Sequence, residues 1–243
     1  MPPIPTLIHR WDLTPGEAMT LQKELATRVE RSDRFDTIRL IAGIDISAND
    51  HTGIARAAIV VLSYPDMAVI EQRRHEEPLR FPYVPGLLSF RETPSILATY
   101  EQLLHRPDLL MVDGQGIAHP RRLGIASHLG LLLDTPSIGV AKSILVGKHQ
   151  PVGERVGDWQ PLIDRGEVIG AALRTREKVT PIYVSIGHRV SLETAIAIVL
   201  RCCRGYRLPE PTRHAHNVAG LKEPISPSPP SAQESQNTQL SLW

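Results

Sequence analysis

Cysteine is almost missing from this chain. The two it has, Cys202 and Cys203, are adjacent. Helical neighbours point to different sides, so they make a poor disulfide pair, and no zinc-ligand spacing surrounds them. A disulfide scaffold and a zinc module are thereby excluded, leaving two small side chains for a core. Long apolar runs are missing too. The longest near the end, Ala195 to Leu200, is far too short to span a bilayer. The first residues, Met1-Pro-Pro-Ile-Pro-Thr-Leu-Ile-His-Arg-Trp11, lack the charged-then-apolar pattern of a secretory signal. The expectation is a cytoplasmic protein with no membrane partner. An excess of one charge is also absent. A net charge of only +1 argues against a binder that neutralises many phosphates at once. Any positive surface must be local, drawn from Arg121, Arg122, Lys142, Arg174, Arg176 and Lys178. Such a surface suits an enzyme with a short footprint.

What is present is a chain of 243 residues, 42% of them hydrophobic, enough to bury one sizeable core. From Lys222 onward prolines alternate with serines and glutamines, and so few apolar residues cannot offset the entropy of ordering. The expected organisation is a globular unit over residues 1–221 and a disordered tail over 222–243. Thr14-Pro15-Gly16-Glu17 supplies a cap, a first-turn proline and an early acid for a helix over residues 11–31. Arg39 to Ser47 reads as a strand. Ile54 to Ser63 and Met67 to His75 read as a hairpin around Tyr64-Pro65-Asp66. A helix is expected from about Ser89 to His105 and a short strand from Leu109 to Val112. A third helix should then begin near Arg121, followed by a strand at Pro136 to Val140. Strands at Glu167 to Arg174 and Ile182 to Ser185 and a helix at Leu192 to Cys203 complete the reading. Three antiparallel strands followed by strands alternating with helices make a mixed α/β sheet.

The chemistry gathers around Leu109-Leu-Met-Val-Asp-Gly-Gln-Gly-Ile-Ala-His-Pro-Arg121. An apolar strand delivers Asp113 to its carboxyl end, where open α/β sheets bind ligands. Gly114 and Gly116 lack a Cβ and permit a sharp turn and a close backbone approach. Asp45 interrupts the apolar Gly43-Ile-Asp-Ile-Ser47, and a charge on a central strand is expensive unless paired or bound to metal. Glu92 falls in the expected first helical turn, where dipole complementation alone would explain it. Singly, each acid also fits a solvated strand or helix end. Two aspartates on neighbouring strands and a helix glutamate together form a magnesium constellation, because a hard cation takes oxygen ligands. His119 would serve proton transfer or hold a phosphate, or else be a turn histidine satisfied by backbone. Lys142, just past a strand, would contact the scissile phosphate or orient water, or else be a solvated loop lysine.

These stretches resemble the endonuclease V family of deoxyinosine 3′ endonucleases. The match is carried by Gly43-Ile-Asp45, Phe81-Pro-Tyr-Val-Pro-Gly-Leu-Leu-Ser-Phe-Arg-Glu92 and Val112-Asp-Gly-Gln-Gly-Ile-Ala-His-Pro-Arg121. It continues in Leu123-Gly-Ile-Ala-Ser-His128, Ile138-Gly-Val-Ala-Lys-Ser143 and Pro209-Glu-Pro-Thr-Arg213, covering residues 9 to about 217. The resemblance implies a ribonuclease H-like mixed sheet flanked by helices. It implies that Asp45, Glu92 and Asp113 hold Mg²⁺, with Mn²⁺ able to substitute, and that His119 and Lys142 support catalysis. Tyr83 is implied to be a wedge replacing the lesion base, and flanking Pro82 and Pro85 would pre-set its loop. The flipped hypoxanthine would enter a pocket lined near Gly86, Leu88, Gly114 and His119, with Gly116, Arg121 and His216 also on the substrate side. The implied activity is hydrolysis of the second phosphodiester bond 3′ to deoxyinosine in DNA. One departure is Ile186, where the family commonly has proline, in what reads as a peripheral loop.

The last residues, Gln239-Leu-Ser-Leu-Trp243, resemble the short peptide that docks bacterial repair proteins on the sliding clamp. Gln239, Leu240, Leu242 and Trp243 at the end of a flexible linker are what a pocket-binding tether needs. Three rivals stand beside the nuclease reading. A dinucleotide-binding protein using Gly114-Gln-Gly116 lacks the third glycine at the required spacing. A non-catalytic nucleic-acid or clamp-binding module would have to place three acids against phosphate. Cleavage of inosine-containing RNA uses the same chemistry.

Overall fold

The computed structural model describes residues 9–49 and 51–220, so the tail and its terminal peptide lie outside the described residues. Eight strands form one sheet: β1 (Leu40–Asn49), β2 (Ile54–Ser63), β3 (Val69–Pro78), β4 (Leu109–Asp113), β5 (Ser137–Ala141), β6 (Trp159–Asp164), β7 (Glu167–Leu173) and β8 (Ile182–His188). Their spatial order is β3-β2-β1-β4-β5-β8-β7-β6. The first three run antiparallel, β1, β4 and β5 are mutually parallel, and β8, β7 and β6 return to antiparallel pairing.

Strand alternation gives the sheet two apolar faces. Ala57, Ile59, Val61, Leu110 and Val112 point to the side covered by α2 (Leu88–Glu101) and α3 (Ile125–Leu132). Ala58, Val60, Leu62, Leu109 and Met111 point to the other, covered by α4 (Leu192–Arg201) and α5 (Glu210–Gly220). This is the expected layered α/β fold: period-2 burial on both faces demands helices above and below. Before the sheet, α1 (Pro15–Ala26) begins with the expected capping box, Thr14 Oγ1 accepting from Glu17 N while Glu17 Oε2 accepts from Thr14 N at 2.8 Å.

Several boundaries differ from expectation for identifiable reasons. α1 ends at Ala26 rather than near residue 31, and α2 at Glu101 rather than near His105, which leaves Leu104 exposed. The third helix starts at Ile125, not Arg121, because Arg122 sits at φ +58° and Gly124 is extended. A Cβ on Gly124 would meet the Gln115 carbonyl at 2.2 Å, which fixes the chain in that turn. Ile186 lies within β8 beside Ile138, in the core rather than in a peripheral loop. Its carbonyl accepts from Ile117 N at 2.7 Å, so this position is tied directly to the segment following Asp113. Both cysteines are free; Cys202 is buried in the core as expected, whereas Cys203 is only half-buried.

Candidate active site

The parallel centre of the sheet aligns the site. Ile44 pairs with Val112 and Asp113 with Val140, so Asp45 follows on β1 beside Asp113 on β4, and Lys142 follows β5. From the α4/α5 face, α5 brings His216 to the same strand ends. It packs close because position 43 is glycine: a Cβ there would lie 1.8 Å from the Pro211 carbonyl oxygen. His216 Nδ1 lies 2.7 Å from Asp45 Oδ2. Ligand atoms of Asp45, Asp113 and His216 all fall within 4.8 Å of one another. Glu92 comes from α2, on the opposite face of the sheet. It stands in the second turn rather than the first, so helix-dipole complementation does not account for it.

The electrostatics are those of a site short of positive charge. Glu92 is 6% exposed, and burial, then the neighbouring Asp45 and Asp113 carboxylates, push its carboxyl up to about 8. Burial and Asp113 raise Asp45 as well, opposed by the hydrogen bond from His216. Lys142 Nζ reaches Asp113 Oδ2 at 2.5 Å but off the hydrogen-bonding direction, so this buried oxygen has a charged neighbour and no aligned donor. Acids crowded together, with Lys142 and Arg91 as their cationic neighbours, are what a hard divalent cation would relieve. The carboxylate and imidazole donors fit such an ion.

Beside Asp113 opens a cavity of about 390 Å³. Its lining includes Tyr83, Gly86, Leu88, Gly114, His119 and Lys142. Tyr83 is 64% exposed on its proline-framed loop, an aromatic ring held out into solvent at the cavity mouth. Pro82 is exposed as part of that frame and is not in the lining. Ile144 and Leu145, which no sequence pattern singled out, add exposed apolar surface on the Lys142 side.

Three expected substrate-side groups instead build the scaffold. Gly116 is buried against β8: its N–H donates to Ser185 Oγ at 2.8 Å, and a Cβ would meet the Ile186 carbonyl at 2.0 Å. The close approach that requires glycine there is to another strand. His119 is a histidine satisfied by backbone, with Nε2 3.0 Å from the Gly86 carbonyl and Nδ1 accepting from Arg121 N at 3.1 Å. Burial, reinforced by Arg121, lowers it to about 4, so it stays neutral. Arg121 turns inward, donating to Gln22 Oε1 and to the Gly86 carbonyl at 2.7 Å. The expected basic surface thins accordingly. Arg122 is bound to Asp164, Glu167 and the His119 carbonyl, and Arg174 donates to the carbonyls of Gly153, Val179 and Val152.

His216, expected on the substrate side, stands on α5, a helix absent from the expected elements. The signals for α5 were an acid and a proline in the first turn, Glu210 and Pro211, then Ala215, Val218 and Ala219 at helical spacing. On that helix His216 faces Asp45 across 171 residues of chain.

The sequence model of the Endonuclease V family matches residues 23–217. An Endonuclease V from Gloeobacter violaceus is 52% identical over 226 residues, 90% of this chain and 92% of that protein. The crystal structure of Endonuclease V from Streptomyces avermitilis superposes with a TM-score of 0.81 at 40% identity, covering 86% of this chain and 92% of that one. Endonuclease V from Ciona intestinalis, solved in complex with a 23mer DNA containing an inosine followed by a ribo-adenosine, gives 0.74 at 32%, covering 84% and 96%.

Proposed function

Because the chain belongs to the Endonuclease V family, metal-dependent nucleases that hydrolyse phosphodiester bonds, we propose that it is a DNA repair endonuclease for deoxyinosine. On this reading it hydrolyses the second phosphodiester bond 3′ to the lesion and leaves 3′-hydroxyl and 5′-phosphate ends. It works in the cytoplasm; no helix among the described residues is long and apolar enough to cross a membrane. The observation that carries the proposal is the convergence of Asp45, Asp113 and His216, with the buried Glu92 carboxyl electrostatically coupled to the two aspartates.

Asp45, Asp113, Glu92 and His216 would hold Mg²⁺, for which Mn²⁺ substitutes. Bound there, the cation would lower the pKa of a water and would stabilise negative charge on the scissile phosphate. The chain's own residues do the rest. Lys142, beside Asp113, meets the phosphate and neutralises part of its charge. Tyr83 fills the gap in the base stack as the lesion nucleotide leaves it, recovering stacking energy of about 1–3 kcal/mol. The extruded hypoxanthine enters the cavity bordered by Gly86, Leu88 and Gly114, where backbone groups reach its edge. His119, with both nitrogens on backbone, and Arg121 shape this cavity; Pro82 and Gly116 likewise act on loop shape. Attack by water breaks the bond between phosphorus and the 3′ oxygen, and that oxygen takes up a proton as it leaves.

An end-labelled duplex with one deoxyinosine, incubated with and without Mg²⁺, tests this. A single nick at the second phosphodiester bond 3′ to the lesion, and only with metal, is expected. Metal-independent cutting, or cutting indifferent to inosine, overturns it. An RNA strand with one inosine, run in parallel, separates the DNA enzyme from an endoribonuclease. The terminal peptide Gln239-Leu-Ser-Leu-Trp243, outside the described residues, is proposed to bind the sliding clamp as a tether. Deleting Gln239 to Trp243 should abolish clamp binding and leave nicking of free inosine DNA intact; equal clamp affinity without those residues discards the tether.

A further inference from the structure

Gln22 belongs to none of the motifs above. It stands on α1, 1% exposed, and reaches the back of the base cavity. Its Nε2 donates to the Gly86 carbonyl at 3.0 Å and to the Leu123 carbonyl at 2.7 Å. Its Oε1 accepts from Arg121 Nε. One amide thus ties together α1, the loop that carries Tyr83, and the turn leading into α3.

The Gly86 carbonyl is the focus. It receives donors from Gln22 Nε2, His119 Nε2 and Arg121 Nη2. Gly86 itself holds a left-handed φ of +78°, and a Cβ there would meet Arg121 Nη2 at 2.7 Å. A carbonyl with three donors is committed to the scaffold. It fixes the loop's direction, three residues after Tyr83. An amide suits this position because it offers donors and an acceptor at once. A carboxylate, or an apolar side chain of equal size, would strand buried carbonyls without a partner.

We propose that Gln22 is a positioning residue for lesion recognition, acting through the Gly86 carbonyl and Arg121 to hold the Tyr83 loop in its base-accepting shape. This rests on the reading of the cavity as the site of the flipped hypoxanthine. Gln22 lies outside the acid cluster, so it governs how firmly inosine DNA is held and not how fast the bound strand is cut.

The experiment compares wild type with Gln22→Met, which keeps the volume and removes the three hydrogen bonds. Single-turnover nicking of a deoxyinosine duplex with Mg²⁺ gives the half-saturating enzyme concentration and the maximal rate. Binding of an undamaged duplex of the same sequence is measured alongside. The expected result is a half-saturating concentration raised about 10-fold with the maximal rate within about two-fold, on the scale of losing a few buried hydrogen bonds. Affinity for the undamaged duplex should be unchanged. If Gln22→Met is unfolded at the assay temperature, Gln22→Glu carries the same comparison, since it keeps the bond from Arg121 Nε and repels the Gly86 carbonyl. A lower maximal rate at unchanged half-saturation overturns the inference. So does an equal loss of affinity for both duplexes, which a merely structural residue would give. No inosine preference in the wild type defeats the nuclease reading itself; a wild-type preference carried unchanged into the variant defeats this inference alone.

Discussion

The acid cluster and the polar hub behind the Tyr83 loop lie at the same end of the sheet, joined by the short run from Asp113 to His119, yet their polar accounts are opposite. In the hub the donors and acceptors match. Gly86 O takes three donors, both His119 nitrogens are engaged, and Arg121 and Gln22 satisfy each other. In the cluster the Asp45 and Asp113 carboxylates stand together with His216, one oxygen of Asp113 has no aligned donor, and Glu92, which feels both aspartates, is driven up to about 8. The lesson is that a satisfied polar network builds a shape, whereas crowded like charges mark where an ion belongs.

The contrast breaks first at Asp113. Asp113→Ala should reduce Mg²⁺-dependent nicking by roughly 1000-fold, the scale on which a charge-stabilising group acts, while inosine-duplex binding largely survives. Full cleavage by this variant, measured on the end-labelled duplex, would defeat the mechanism. At the cavity, Tyr83→Ala should weaken lesion binding about 10-fold, the loss of one stacked ring, with metal affinity unchanged. Titrating both duplex and Mn²⁺ against the variant separates the two effects.

Smaller effects concern stability. Burial and its neighbours make the folded Glu92 prefer its proton up to about 8, while the unfolded chain releases it near 4.5. The proton-linked stabilisation is therefore present at low pH and lost as pH rises to about 8. In metal-free buffer Glu92→Gln should melt higher than wild type at pH 8, the gap closing toward pH 5. Saturating Mg²⁺ should reverse the order, because metal binding stabilises only the intact site. Melting curves at the two pH values read this directly. The smallest effect has the opposite sign. His128, fully enclosed beside His9, Trp11 and Phe90, is held neutral by burial down to about 3, against 6.5 for an unfolded histidine. Its contribution is complete above 6.5 and fades as pH falls toward 3. Replacing it, as in His128→Phe, should flatten the acid limb of the melting profile between pH 6 and 4.

The same contrast explains what the sequence revealed. Asp45 and Asp113 were visible because an acid inside an apolar strand violates binary patterning, and Thr14 because a capping box is local. The scaffold was not, since whether His119 and Arg121 face substrate or backbone depends on which distant carbonyl folds against them. His216 was recognisable as a family position, but its contact with Asp45 exists only once α5 crosses Gly43. β6 escaped notice because Pro161 argues against a central strand; it is an edge strand, where a proline removes no ladder bond. Ile186 looked peripheral because one β-branched residue after a strand carries no sign that its carbonyl will anchor Ile117.

A crystal soaked in Mn²⁺ and measured for anomalous scattering tests the central claim most directly. A peak within about 2.2 Å of carboxylate oxygens of both Asp45 and Asp113 is the predicted result, allowing for an ion close to Mg²⁺ in size. Millimolar Mn²⁺ that leaves no peak between them, or sits only on surface acids elsewhere, contradicts it.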